Sequence, residues 1–307
     1  AESLASSQPL MVTEVLVREA PRHGPAVLAA NPVELALARG AWTPPTADQP
    51  DPDGVVWQPL AADSTGWIEG DALRHGYAYA RLDAPADGVY LLAGMGYQRV
   101  YVNGVLREGN VYGHTDDWQP WQPRFDFAVI PAPLRDGPND LLFVGNRYGR
   151  LRARLEPASS PLLLNARDVT LPDLVVDEAV RTRGAVVVMN ATAEVQRDAW
   201  LLAALDGDEP VATRVPTLAP HAVRKVGFAI VGNAADATGP RDLHLRLASR
   251  EASSPPRSSS RITPSRRPAS SSFHARKGSR VSTVPVNWST IRRLTKEPSP
   301  AVPPSRR

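Results

Sequence analysis

Short runs in which apolar and polar residues alternate, separated by turn sequences, recur along most of this chain. In an extended strand, such alternation places the apolar side chains on one face and the polar side chains on the other. The clearest runs are YAYARLDA at 77–84 and RLRARLEP at 150–157. No long segment with the 3.6-residue period of a helix separates the runs within residues 162–249. The pattern therefore predicts an all-β chain whose strands pack as sandwiches.

The strongest local signal is a hairpin turn at Asn103-Gly104, which lies between VYV and VL. A type I′ turn needs positive φ at both central residues, and asparagine and glycine adopt that conformation readily. A short helix is predicted from Pro32 to Gly40, and the proline-rich and aspartate-rich residues 44–54 form a linker. Further strands are predicted at 12–17, 89–96, 124–130, 168–176, 184–192, 199–207, 221–231 and 241–249. Within residues 133–146, a Gly-Pro-Asn turn is predicted to precede an apolar strand.

The C-terminal tail differs in composition from the rest of the chain. Residues 251–307 contain 12 basic and 2 acidic residues, with 14 serines and 9 prolines. The whole chain has 35 basic and 32 acidic residues, so residues 1–250 carry a net negative charge. The tail has too little apolar surface to offset its chain entropy, and residues 250–307 are predicted to be disordered. A shifted reading frame in GC-rich DNA is an alternative origin for this tail.

The sequence contains no recognisable catalytic, metal or cofactor site. It has no cysteine, six scattered histidines and no G-x-S-x-G nucleophile motif. No apolar run is long enough for a membrane-spanning helix. The chain starts at Ala1 without a basic leader, so we expect a signal peptide to be absent or already removed. We therefore expect no catalytic residue, no metal, no cofactor and no membrane span in this chain.

The segment VYGHTDDWQPWQP at 111–123 is the densest group of potential ligand-binding side chains. Aromatic faces pack against the apolar side of sugar rings, while carboxylates and amides bind sugar hydroxyls. Two alternatives remain open, since the tryptophans could close one end of a sandwich and the aspartates could form turns or a calcium loop. The candidate sugar-binding residues are Tyr112, His114, Asp116, Asp117, Trp118 and Trp121.

Other aromatic and basic residues are interpreted as structural. Trp57 and Trp67 flank a polar loop, and we expect both to pack in the core rather than to bind a ligand. Arg150, Arg152 and Arg154 share one face of a predicted strand. We expect that face to be solvated or to contact another domain, and not to bind an anion.

Several segments together resemble one protein family. They are PVELALARGAWTPP, GYAYARLDAP, VYVNGVLREGNVYG, DGPNDLLFVGNRYGRLRARLEP and DVTLPDLVVDEAV, spread over residues 12–248. The region is similar to the N-terminal non-catalytic region of bacterial secreted serine peptidases of the prolyl-oligopeptidase type. Its hairpin and its G-x-N-x-L-L strand also resemble galactose-binding-like jelly rolls. The family resemblance implies a downstream α/β-hydrolase domain with a Ser-Asp-His triad, of which this chain contains no residue.

The sequence thus predicts four regions and an accessory function. Residues 1–54 form an N-terminal segment, 55–158 a galactose-binding-like jelly roll, 159–249 an immunoglobulin-like β-sandwich and 250–307 the tail. The chain is expected to support or gate a missing extracellular or periplasmic hydrolase, a peptidase or esterase. A carbohydrate-binding module is the alternative function, and polyanion binding through the tail is a weaker one. The expected partners are the missing hydrolase domain and carbohydrate, and nucleic acid is not expected.

Overall fold

The structure, a computed structural model, describes residues 8–19, 31–107, 127–145, 147–233, 241–249, 281–288 and 291–292. Contacts divide the chain into two compact units, of which the first comprises 1–168, 187–196 and 217–224 and the second comprises the remaining residues. The first unit contains one short helix, α1 (Pro32–Ala38), and a 3-10 turn (Asp71–Leu73). All other regular elements in the described ranges are β-strands, so the predicted all-β class is confirmed.

The strands follow one another in short steps along the chain. They are β1 (Leu10–Met11), β2 (Glu14–Arg18), β3 (Gln58–Ala61), β4 (Ile68–Glu69), β5 (Tyr77–Ala84), β6 (Gly88–Met95), β7 (Tyr97–Val102), β8 (Val105–Arg107), β9 (Val129–Leu134), β10 (Gly137–Gly145), β11 (Arg150–Pro157), β12 (Leu162–Thr170), β13 (Leu174–Val175), β14 (Val180–Asn190), β15 (Ala199–Leu205), β16 (Val211–Arg214), β17 (Val223–Gly232), β18 (Arg241–Ser249), β19 (Val281–Trp288) and β20 (Ile291–Arg292).

Two antiparallel sheets form a sandwich in the first unit. The six-stranded sheet has the order β3-β2-β5-β10-β7-β8, and the five-stranded sheet has the order β1-β11-β6-β9 with β4 paired to β11. Apolar side chains from both sheets form one core cluster, in which Leu92, Val100 and Phe143 are fully buried. The predicted sandwich architecture of this region is therefore confirmed. The boundaries of the four predicted regions stay predictions, although β1 and β2 pair into these sheets.

The structure confirms the strands that had the clearest alternation. β5, β11 and β18 have the predicted bounds, and Leu151, Ala153 and Leu155 are buried as expected. Strands β3 and β16 were missed because their sequences carry no clear period of two. The predicted strand 124–130 begins only at Val129, and residues 124–126 lie outside the described part of the chain.

The hairpin turn between β7 and β8 forms as predicted. Val102 pairs with Val105, and the two residues between them, Asn103 and Gly104, have φ values of 50° and 79°. Both values lie in the left-handed region that a type I′ turn requires. The turn therefore fixes the position of Asn103 at one end of the six-stranded sheet.

The second unit contains a four-stranded sheet with the order β16-β15-β18-β19 and a parallel pair formed by β13 and β20. A three-stranded sheet has the order β12-β14-β17. Strands β19 and β20 lie within the tail that was predicted to be disordered, and for those ten residues the structure differs from the prediction. Backbone pairing with β18 over eight residue pairs supplies the order that side-chain composition did not indicate. The rest of the tail lies outside the described residues.

Gly96 provides a test of the sandwich. A Cβ atom at this position would lie 1.7 Å from the backbone oxygen of Arg150, and its φ is +93°. We expect Gly96→Ala to lower the free energy of unfolding by about 3 kcal/mol or more, because the β11 backbone has to move. Gly104→Ala is the control, since a Cβ there meets nothing within 4 Å and costs about 1–2 kcal/mol of backbone strain. Urea unfolding that finds both variants equally stable would contradict this arrangement.

A second test concerns β19. Ending the chain at residue 280 would leave the backbone groups along β18 unpaired, and an open strand edge promotes self-association. We expect this variant to form oligomers in size-exclusion chromatography. A chain that ends at residue 292 keeps both β19 and β20, and it should elute like the full chain. Identical elution of the two truncated chains would show that β19 does not protect this edge.

Candidate functional site

The outer face of the six-stranded sheet is unusually rich in tyrosine. The cross-strand register aligns Tyr79 with Leu16 on one side and Leu142 on the other, and Leu142 in turn with Tyr101. Tyr77 occupies the neighbouring row and is completely buried. Together with Trp57 these side chains form a second apolar cluster, separate from the core between the sheets. Such a face needs a cover, because large aromatic surfaces are costly to leave in water.

Helix α1 supplies part of this cover. It starts at Pro32, where the missing N–H of proline costs nothing, and the Asn31 side chain accepts a hydrogen bond from the Glu34 backbone N–H at 3.3 Å. The Asn31 amide also donates to the hydroxyl of Tyr77, which ties the beginning of the helix to the sheet. Val33 of the helix is buried in the aromatic cluster. The cap thus orients the helix and also fixes its position on the sheet.

The segment 41–57 supplies the rest of the cover, and Asp51 anchors it. The Asp51 carboxylate pairs with the buried guanidinium of Arg18 on β2. It also accepts hydrogen bonds from the Trp57 indole N–H at 3.1 Å and from the Val55 backbone N–H at 3.0 Å. Arg18 also contacts Asp53 at 3.2 Å. A buried charge needs several partners, and here Arg18 and Asp51 supply them to each other.

A cavity of about 340 Å³ opens between this cover and the hairpin turn, and we call it the hairpin cavity. Its size is in the range of small-molecule sites. Trp42 of the covering segment is half-buried, and its ring meets the ring of Tyr79 edge-on with centroids 5.9 Å apart. The side chains that give the cavity its chemistry are Leu37, Trp42, Pro44, Asn103, Arg135 and Asp140.

Hydrogen bonds hold the polar side chains of the hairpin cavity in place. The Tyr79 hydroxyl donates to one carboxylate oxygen of Asp140 at 2.7 Å. The Asn103 side-chain oxygen accepts from the Asp140 backbone N–H at 3.0 Å and from the Arg135 guanidinium at 3.2 Å. The Asn103 amide donates to buried Asn139 at 2.9 Å. The second carboxylate oxygen of Asp140 has no partner among the described residues, so it remains available as an acceptor.

The protonation state of the tyrosines fits this arrangement. Burial, together with the hydrogen bond to Asp140, raises the pKa of Tyr79 far above its usual range. Burial and the nearby Glu34 carboxylate do the same to the pKa of Tyr77. Both hydroxyls therefore stay protonated at any physiological pH. Tyr79 therefore remains a hydrogen-bond donor to Asp140.

The sequence-predicted sugar site cannot be placed. Tyr112, His114, Asp116, Asp117, Trp118 and Trp121 all lie outside the described residues, so this site stays a prediction. Trp57 and Trp67 are buried, which confirms their predicted core packing. The guanidinium of Arg150 lies 4.4 Å from the ring centroid of Trp67 and pairs with Glu69. Arg150 therefore already has partners of its own.

Trp42 was missed by the sequence analysis. It lies next to the prolines of WTPP, in a segment with no periodic pattern, and no short motif marks it. The turn signal at Asn103-Gly104 was recognised, but only as an element of the fold. The described ranges contain no group of three or more metal-ligating side chains. No helix in those ranges is long and apolar enough to cross a membrane.

Comparison with known proteins finds no matching family model and no matching curated sequence. Similar solved structures include Bacteroides uniformis β-glucuronidase 2 in a calcium-binding mutant form, with 12% identity and a TM-score of 0.36 over 79% of this chain and 31% of that chain. Amycolatopsis orientalis exo-chitosanase has 10% identity and a TM-score of 0.37 over 78% of this chain and 32% of that chain.

A third similar structure is Bifidobacterium dentium β-glucuronidase complexed with coumarin-3-O-glucuronide, with 12% identity and a TM-score of 0.37 over 94% of this chain and 49% of that chain. The chain thus spans a third to a half of the length of these enzymes. Similarity of this extent indicates neither a shared family nor a shared function. None of the three is named as a peptidase, so the peptidase resemblance stays a prediction.

The Arg18–Asp51 pair gives a testable prediction about the cover. We expect Arg18→Met to lower the free energy of unfolding by about 3–5 kcal/mol, because Asp51 is left buried without its cation. Arg99→Met is the control, since Arg99 pairs with Glu34 at 3.0 Å but is about half exposed, and such pairs contribute less than about 1 kcal/mol. Chemical denaturation measures both values. Similar small losses in the two variants would show that Arg18 does not anchor segment 41–57.

Proposed function

We propose that the chain is a non-catalytic accessory β-sandwich region that binds carbohydrate in the hairpin cavity. The observation that carries the proposal is that Trp42 and Asp140, one of whose carboxylate oxygens has no partner among the described residues, line the same open cavity. Trp42 offers an aromatic surface to the C–H face of a sugar ring. Asp140, Asn103 and Arg135 offer acceptors and donors for its hydroxyls.

The rigidity of the hairpin cavity supports this proposal. Asp140 lies on β10, in the middle of the six-stranded sheet, and Asn103 lies in a two-residue turn. Side chains on strands and tight turns lose little further freedom on binding, so less of the binding free energy is spent on ordering them. Arg135 and Asp140 carry opposite charges, which suits a neutral polar ligand better than a strongly charged one.

The proposed partner is a hydrolase that acts outside the cytoplasm, with the chain supporting or gating it. The sequence resemblance favours a peptidase or an esterase, and carbohydrate binding would then hold that enzyme at a glycan-bearing surface. Polyanion binding through the tail is a further candidate, which the basic composition of residues 251–307 favours.

The DNA after codon 250, translated in all three frames, tests the partnership with a hydrolase. A frame that continues the β-strand periodicity into a hydrolase supports this partnership. The same tail, followed by no hydrolase in any frame, contradicts it.

Glycan binding provides the direct test. We expect the full chain to bind some members of a panel of neutral oligosaccharides of glucose, galactose, mannose and N-acetylglucosamine. Trp42→Ala should weaken that binding about two- to tenfold, because contact with an aromatic ring contributes on the order of 0.5–1.5 kcal/mol. Asp140→Asn should weaken it less, since the amide keeps one acceptor. Isothermal calorimetry measures each affinity, and circular dichroism checks the fold.

Two controls make this test decisive. Asp136→Asn changes an exposed carboxylate in the turn before β10, outside the lining of the cavity, and should leave binding unchanged. Trp118→Ala tests the alternative sugar site at 111–123. Binding that is lost with Trp118→Ala and kept with Trp42→Ala would move the site to that loop. Absence of binding to every member of the panel would contradict carbohydrate binding altogether.

A further inference from the structure

A second cavity of about 320 Å³ lies under the same covering segment, and we call it the Arg18 cavity. It shares Trp42 and Pro44 with the hairpin cavity as lining residues. Its other walls are of mixed polarity: prolines of segment 44–52, α1 and Trp57 supply apolar surface, and Thr43, Thr46 and Gln49 supply polar groups. Arg18, Asp51 and Asp53 supply its charges. Two cavities with a common aromatic wall can hold adjacent units of one chain-like ligand.

The charges of the Arg18 cavity do not cancel. One guanidinium, from Arg18, faces the carboxylates of Asp51 and Asp53, so the cavity carries a net charge of −1. Asp51 is saturated by its four donors. Asp53 is 42% exposed, and only one of its carboxylate oxygens contacts Arg18. Its other oxygen is free, among the described residues, to accept a hydrogen bond from a ligand.

Arg18 is the buried partner of both carboxylates. Its residue is 4% exposed, both terminal nitrogens bind carboxylates, and its Nε–H, which has no hydrogen-bond partner among the described residues, has almost no accessible surface. Arg18 therefore holds Asp53 in place and sets the charge of the cavity, and it does not itself offer a donor to a ligand. The Arg18 cavity thus offers the second carboxylate oxygen of Asp53 as an acceptor, beside the apolar surfaces of Trp42 and the prolines. An acceptor next to apolar surface matches the hydroxyls and C–H faces of a sugar ring.

We propose that the Arg18 cavity is a second subsite, which holds the sugar unit next to the one in the hairpin cavity and accepts neutral or amino sugars but rejects acidic sugars. This inference rests on the proposed function and adds its ligand class, an oligosaccharide of at least two units without carboxylates. A uronate would bring a second negative charge close to Asp53, and it would have to give up hydration without gaining a free cation. An ammonium group would pair with Asp53 instead.

Matched tetrasaccharides test the charge preference. We would measure binding of β-1,4-linked tetramers of glucose, glucosamine and glucuronic acid to the full chain by calorimetry at pH 6 and low salt. The glucuronic acid tetramer should bind at least about tenfold more weakly than the glucose tetramer, as expected for one nearby like charge in a partly buried site. The glucosamine tetramer should bind at least as tightly as the glucose tetramer. Free glucose should bind more weakly than its tetramer.

Asp53→Asn tests whether the Asp53 carboxylate causes the charge preference among the tetramers. This substitution removes the charge and keeps the shape, so it should bring the affinities of the three tetramers within about threefold of one another. Asp48→Asn is the control, because Asp48 is an exposed residue of the same segment that does not line the cavity. It should leave the preference unchanged.

The outcomes separate this inference from the proposed function. If no tetramer binds, the proposed carbohydrate binding fails, and the subsite fails with it. If the glucose tetramer binds and Trp42→Ala weakens this binding, the proposed function stands. The subsite is then overturned by equal affinity for the glucuronic acid and glucose tetramers, or by a preference that Asp53→Asn does not change.

Discussion

The buried ion pair between Arg18 and Asp51 is the interaction on which the candidate site depends. The outer face of the six-stranded sheet carries tyrosines and would be exposed without a cover. The cover consists of a seven-residue helix and an irregular segment, neither of which is stable alone. Asp51 fixes the segment to β2, and the Asn31 cap fixes the helix to Tyr77. Because both anchors lie on the sheet, the cover keeps one position and leaves the same cavities open.

The six-stranded sheet in turn positions the polar side chains of the hairpin cavity. Strand β10 places Asp140 beside the cavity. Tyr79 on β5 donates a hydrogen bond to the Asp140 carboxylate, so this acceptor is oriented before any ligand binds. The hairpin turn adds Asn103 from the other side. Trp42 and Pro44 come from the covering segment, and the contact between the Trp42 and Tyr79 rings fixes the position of Trp42 against the sheet. Strand pairing therefore preorganises the site, and the Arg18–Asp51 ion pair and the Asn31–Tyr77 hydrogen bond hold the cover on the sheet.

The sequence predicted the parts of this structure that local patterns determine. Alternation over 77–84 and 150–157 predicted β5 and β11, and Asn103-Gly104 predicted the hairpin. The pairing of Arg18 with Asp51 joins residues 33 positions apart, and no local pattern indicates it. The sequence did not indicate Trp42 as a site residue for the same reason, since its position depends on packing against Tyr79 on β5. Strand β19 was missed because backbone pairing, and not composition, places it against β18.

A crystal structure of the full chain with a bound tetrasaccharide of glucose shows where the ligand binds. We expect one sugar ring against the Trp42 indole, with a hydroxyl donating to the carboxylate oxygen of Asp140 that Tyr79 does not contact, and the next ring in the Arg18 cavity. The protein around the ligand should match the unbound arrangement, because the cavities are already formed. A sugar bound elsewhere on the chain, or a cover that leaves the sheet when the sugar binds, would rule out binding in these two preformed cavities.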